Sequence, residues 1–220
     1  MRRFFSLLFV WLIAGSAVAL GAGKLETTGA CTSADVPEAV RKALEPRGYR
    51  VTLDDGNTID LWFRSQLPAA RSAESSETAG AVYSLPMSAF VGIAIYAKPA
   101  KDYRNQNIRP GAYTLRYALH PADGNHMGVA PSRDFVLMVP AASDPDPAAS
   151  FKFEELVAMS KKAAGVNHPA PLDLAAPDSA QNFPSVFDDG EGHTVLAVKL
   201  KSPTGETPLA LVVKGVSAVP

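Results

Sequence analysis

The stretch 109–140, RPGAYTLRYALHPADGNHMGVAPSRDFVLMVP, constrains the fold more than any other part of the chain. Tyr113, Leu115, Tyr117 and Leu119 fall on one face of an extended backbone, and Thr114, Arg116, Ala118 and His120 on the other. Phe135, Leu137 and Val139 repeat the alternation after the intervening segment. This period of two predicts an antiparallel strand pair with the Tyr113 face toward a core. The connection 120–133 is longer than the roughly two to five residues usual in a hairpin. Long ordered connections of this kind tend to carry function or to pack as small units of their own.

The rest of the chain reads as more short strands between turn signals. A strand over 49–53, a turn at Asp54-Asp55-Gly56-Asn57 and a returning strand over 58–64 form a hairpin, with Ile59, Leu61 and Phe63 opposite Thr58, Asp60 and Trp62. FVGIAIYA at 90–97 is nearly continuous apolar sequence, as in a strand buried on both faces, and Gly92 within it suggests a bulge or a close backbone approach. Late strands are expected over 183–187, 194–201 and 208–214, with a turn at Ser202-Pro203-Thr204-Gly205. Residues 167–183 are Pro-rich without regular period and read as an extended crossing. Two helices are expected: a short one capped by Asp35 with Val36, Val40 and Leu44 on its apolar stripe, and one begun by Asp146-Pro147 and stopped by Gly165. The fold class expected from this pattern is mainly β, an antiparallel β-sandwich with one or two peripheral helices.

The chain opens MRRFFSLLFVWLIAGSAVALGAG: a basic start, an apolar run and a small-residue ending, the pattern of a signal peptide over 1–22 cleaved after Ala19 or Ala22. A single β-sandwich-like domain over 23–220 with a helix near 147–164 is then expected, in the periplasm or secreted, with no transmembrane segment after signal cleavage. Lys plus Arg total 21 and Asp plus Glu 22, a balance that offers no electrostatic basis for nucleic acid as a partner. Cys31 is the one cysteine, so no internal disulfide forms. Gly29-Ala30-Cys31 has the small residues of a lipidation site, but Lys24 and Glu26 separate it from the apolar run. Anchoring through Cys31 is therefore the less favoured reading.

VPEAVRKALEPRGYRV, NTIDLWFRSQLP, PGAYTLRYALHPADGNHMGVAPSRDFVLMVPA and LALVVKG together resemble a group of uncharacterised secreted bacterial proteins of about this length. The likeness covers nearly the whole mature chain. It implies one exported domain and carries over no activity. PGAYTLRY is also similar to the strand opening of many extracellular β-sandwich modules.

The residue types present are compatible with four kinds of chemistry. His120, Asp123, His126 and Asp134 offer imidazole and carboxylate donors to a divalent ion, zinc above all, without the fixed geometry of a helix-borne HExxH. Calcium through Asp123, Asn125 and backbone oxygens is a variant, short of the acidic oxygens of a calcium loop. The plainer reading makes Asp123-Gly124-Asn125 a turn and has Arg116 or Arg133 pair with Asp134. Nucleophilic hydrolysis finds neither a Gly-x-Ser-x-Gly nor a Ser-x-x-Lys. Glycosidase-type carboxylate pairs are available among Asp54, Asp55, Asp60, Asp188, Asp189 and Glu191, yet Asp188-Asp189-Gly190-Glu191-Gly192 has the composition of a turn. Recognition of a glycan or protein would use an aromatic among Trp62, Tyr96, Tyr103 and Tyr113, Trp62 above all because it lies opposite the apolar face of its strand, with the nearby amides Asn105, Gln106 and Asn107; His120, Asp123, Asn125 and His126 are the other candidate ligand-binding residues. The function expected is an exported non-catalytic binding or envelope-associated module whose ligand is a small molecule, a carbohydrate or an envelope protein. A metal-binding protein or metal-dependent hydrolase using residues 120–134 is the alternative, and no cofactor is required by the first reading.

Overall fold

A computed structural model describes residues 23–71, 78–103, 105–121 and 130–215. The expected signal peptide over 1–22 lies outside them, as do Asp123, Asn125 and His126. In chain order the elements are β1 (Lys24–Thr28), α1 (Glu38–Lys42), β2 (Gly48–Thr52), β3 (Thr58–Phe63), β4 (Phe90–Tyr96), β5 (Ala100–Lys101), β6 (Asn107–Ile108), β7 (Gly111–Leu119) and β8 (Asp134–Pro140). They continue with α2 (Phe153–Ala164), β9 (Pro171–Ala175), β10 (Ser185–Asp188), β11 (Thr194–Ser202) and β12 (Gly205–Lys214).

The protein is mainly β, as expected, but its strands do not divide into the two facing sheets of a sandwich. They form one ten-stranded antiparallel sheet in the order β1-β2-β3-β4-β7-β8-β9-β12-β11-β10, nearly closed into a barrel, with β5 and β6 a separate hairpin. The strand responsible is β9, inside the segment that sequence reads as an irregular crossing. It pairs Phe135, Val136 and Leu137 of β8 on one side and Ala210 and Leu211 of β12 on the other, so it stitches the two halves of the sheet together. At the seam β1 lies beside β10 without a hydrogen-bonded ladder.

Alternation then decides which side chains fill the barrel. Tyr113, Leu115, Tyr117 and Leu119 point inward with Val136 and Met138 of β8, Leu172 and Leu174 of β9, and Leu209, Leu211 and Val213 of β12. Gly92 re-phases β4: Val91 faces inward before it, Ala94 and Tyr96 after it, and the β4–β7 register shifts between Phe90 and Gly92. A Cβ at Gly92 would sit 2.4 Å from the Trp62 carbonyl oxygen, so the expected bulge and close approach are both present.

The outer wall is covered rather than solvated. Residues 31–44, including α1, lay Cys31, Val36, Val40 and Leu44 over Trp62, Phe90 and Ile93. Helix α2 places Leu156 on Ala118, Phe135, Leu137 and Val139, and its Ser160 hydroxyl accepts the Ala170 N–H at 2.9 Å. Both helices begin later than sequence suggests. The position before α1 is Pro37, not Asp35, and no side chain caps it. Asp146-Pro147 does not open α2, because the Asp146 and Ala149 carbonyls accept from Arg116 instead of entering a helical ladder. The helix starts at Phe153, where the Glu155 carboxylate accepts the Lys152 N–H at 3.0 Å. Its C-terminal stop at Gly165 is as expected, with φ at 69°.

Candidate functional site

Of the residues singled out in 120–134, the two that are described, His120 and Asp134, lie on opposite faces of the sheet. His120 follows the outward face of β7: its ring stacks on Phe135 with centroids 4.2 Å apart, and its Nε2 lies 3.1 Å from an Asp173 carboxylate oxygen. Asp134 faces the other way. Its carboxylate accepts the Val82 N–H at 2.8 Å, the Tyr83 N–H at 3.0 Å and the Tyr117 hydroxyl at 2.5 Å, all on the barrel side. A common ion cannot reach both, so His120 and Asp134 do not belong to one coordination sphere. Among the described residues no ion pair joins Asp134 to Arg116 or Arg133: Arg116 forks onto Asp144, and Arg133 bonds the His120 and Ala79 carbonyls.

Trp62 is on the outer face that alternation assigns it, but it is not an exposed platform. It is 7 % accessible beneath the 31–44 cover, and its indole N–H donates to the Gly29 carbonyl at 2.8 Å. Cys31 packs in the same layer, where burial pushes its thiol pKa up.

A second polar cluster, not anticipated from sequence, lies on the outer wall beyond His120. The His193 Nδ1 is 2.7 Å from Asp189 Oδ2 and its Nε2 is 3.2 Å from the Tyr103 hydroxyl. A carboxylate only accepts, so Nδ1 donates to Asp189, and in the neutral ring Nε2 is the acceptor facing the Tyr103 hydroxyl. Burial, reinforced by the charges of Asp173, Asp189 and Glu191, pushes the Tyr103 phenol up to about 12 and keeps it a donor. Asp189, Glu191 and His193 could geometrically share a cation. However, Asp189 already accepts the Glu191 and His193 N–H groups at 2.9 and 3.1 Å, and both His193 nitrogens are engaged. The arrangement is the turn that the Asp-Asp-Gly-Glu-Gly composition suggests. Burial works to raise the Asp189 carboxyl, but those N–H bonds and His193 outweigh it and hold it low.

Asp173 sits between these groups, 1 % accessible, with one carboxylate oxygen that has no hydrogen-bond partner. Burial pushes its pKa up, against the opposing pull of His120 and His193. A carboxyl whose folded pKa exceeds its unfolded one contributes stability that is fully present below the unfolded pKa and is lost as pH rises through the folded pKa. Asp173→Asn should therefore gain stability relative to the natural chain as pH climbs through the upper carboxylate range. Thermal melts of both proteins from about pH 3 to about pH 8 check this. A constant difference across the range would contradict the assignment.

The remaining feature is a cavity of about 490 Å³ at one mouth of the barrel. Its floor is the barrel interior at Leu53, Ile59, Tyr96 and Val213, and its rim is the β2–β3 turn, the end of β12 and the β5–β6 hairpin. The hairpin is tied to the far wall. Asp102 accepts the Gln106 backbone and side-chain N–H groups, Gln106 donates to the Pro169 carbonyl, and the Tyr103 N–H donates to the Pro171 carbonyl. In the floor, the Tyr96 hydroxyl is buried and has no hydrogen-bond partner. Burial, with the Asp102 charge behind it, raises that phenol's pKa, so it stays protonated. The opposite mouth holds a second cavity of about 360 Å³ against Leu67, Tyr83, Leu85 and Pro208. There the Tyr83 hydroxyl is satisfied, donating to the Ala175 carbonyl at 2.8 Å and accepting the Ala210 N–H at 3.0 Å.

Asn105, Asn107 and Tyr96 stand out in the sequence as amides and an aromatic, but nothing local joins them. The cavity is assembled from three segments, 53–59, 96–107 and 213–215, that are distant in the chain. No family model, curated protein or solved structure matches this chain.

Proposed function

We propose that the chain is an exported, non-catalytic binding module that holds a small organic molecule in the cavity between the β5–β6 hairpin and the barrel floor. The observation that carries this reading is the hollow itself: an apolar floor at Leu53, Ile59, Tyr96 and Val213 beneath a rim that includes Asn57, Asn105 and Asn107. An apolar floor with a few converging polar groups, in a volume of this order, is the usual make-up of a small-ligand site. A glycan is less well served, since it needs an exposed ring to stack on, and Trp62, Tyr96, Tyr103 and Tyr113 are all buried. Both histidines of the outer wall spend their ring nitrogens on Asp173, Asp189 and Tyr103, and neither lines the cavity, which favours binding over catalysis.

Export rests on the basic and apolar opening of the chain, and the start of β1 agrees with it. Cleavage after Ala19 or Ala22 leaves Lys24–Thr28 whole to pair with β2, whereas a lipidated N-terminus at Cys31 would delete that strand. These two points support a periplasmic or secreted location over lipidation at Cys31.

A ligand-observed NMR screen of small organic fragments tests the proposal. Hits should vanish in Asn107→Trp, which places a large ring at the cavity mouth. Fragments that bind Asn107→Trp as well as the natural chain would place the site elsewhere. Turnover in a hydrolase panel, abolished by one substitution, would replace binding with catalysis.

A further inference from the structure

The charge on the cavity rim says what kind of molecule fits. Lys98 and Lys101, both lining the cavity from the β4–β5 connection and β5, have no carboxylate partner among the described residues; Lys101 donates to the Asn105 carbonyl at 3.1 Å. The carboxylates nearby are already occupied. Asp54 is held by Lys214 across the mouth, Asp55 accepts the Asn57 N–H at 2.8 Å within its own turn, and buried Asp102 spends its oxygens on Gln106. Among the described residues Lys98 and Lys101 thus form no ion pair above the apolar floor, and Asp55, which keeps its negative charge on the β2–β3 side of the rim, directs an anionic head toward the lysines. Ammonium groups without an arginine fork give charge rather than bidentate geometry, which suits a single anionic head.

We infer that the cavity takes a small amphipathic organic anion of carboxylate type. Its apolar body lies against Leu53, Ile59, Tyr96 and Val213, and its charged head lies at Lys98 and Lys101. This rests on the binding reading above and adds the ligand's chemical class. The rim is exposed at both lysines, so each contributes modestly, and the attraction weakens as salt rises.

The test compares octanoate and benzoate with octanamide and benzamide, titrated into the protein by calorimetry at low and high salt. The acids should bind about five- to tenfold more tightly than their amides at low salt, a gap that narrows on adding salt. In a Lys98→Met, Lys101→Met double variant the acids should fall to the level of the amides, while amide affinity is unchanged. Asn107→Trp should lose both. Amides that match the acids, or a gap that survives in the double variant, would overturn the anionic class and leave the cavity as a site for neutral ligands. No binding by any probe, together with fragment hits indifferent to Asn107→Trp, would overturn the cavity reading and this inference with it.

Discussion

Arg116→Ala should cost about 3–5 kcal/mol of stability, the penalty typical of breaking one side of a buried ion pair. Arg116 is completely buried, and every one of its N–H groups has an acceptor. Nε and Nη2 fork onto the Asp144 carboxylate at 2.7 Å each, Nη2 also reaches the Asp146 carbonyl at 2.7 Å, and Nη1 reaches Ser88 and Ala149 carbonyls at 3.1 and 2.8 Å. The rings of Phe90 and Phe151 lie 5.5 and 5.1 Å from the guanidinium carbon. The residue therefore binds the 141–151 segment to the outside of β7. Without it, Asp144 would stay buried with the Thr114 hydroxyl as its side-chain partner. Urea unfolding measures the loss. Arg116→Lys keeps the charge but not the fork and should fall in between, whereas Arg116→Met with Asp144→Leu should lose far less than Arg116→Ala, because no orphaned charge remains. A loss below about 1 kcal/mol for Arg116→Ala would mean the segment is held by packing alone.

That clamp also explains where sequence and structure part. Arg116 was legible as a member of the outer face of its strand, but its partner Asp144 lies beyond β8 in a stretch whose composition reads as a hinge. The same holds for Trp62: alternation put it on the right face, and the Val36-Val40-Leu44 stripe was visible, yet nothing local says that the stripe covers the tryptophan. Strands β2, β3, β4, β7, β8, β11 and β12 were readable because one or both faces repeat apolar residues over several positions. β9 was not, since Pro171 opens it and Asp173 interrupts it. Both are tolerable there for reasons only the fold supplies: proline stands at the strand's start, and His120 gives the aspartate a partner. Missing β9 leaves an N-terminal and a C-terminal group of strands, which is what a sandwich looks like in sequence. The candidate site was hidden in the same way, because a barrel mouth exists only once the ring of strands is complete.

Asp134→Ala should be the second severe change, at about 2–4 kcal/mol, from leaving buried donors unmatched. Three donors converge on this carboxylate: the Val82 and Tyr83 backbone N–H groups and the Tyr117 hydroxyl. Through them Asp134 fixes the connection that carries Tyr83 into the barrel, where the Tyr83 hydroxyl bridges Ala175 of β9 and Ala210 of β12. Losing the carboxylate should thus loosen the strand that joins the two halves of the sheet as well as the connection itself. Asp134→Asn offers little relief, because its amide nitrogen would meet N–H donors where an oxygen is required. Hydrogen exchange separates this role from coordination of an ion. In Asp134→Ala the Val82 and Tyr83 amides should lose protection first, followed by those of Ala175 and Ala210, while chelator leaves the natural chain's melting temperature in place. A chelator-induced fall as large as that caused by the substitution, reversed by zinc, would instead make Asp134 a metal ligand and require its carboxylate to turn away from Val82 and Tyr83.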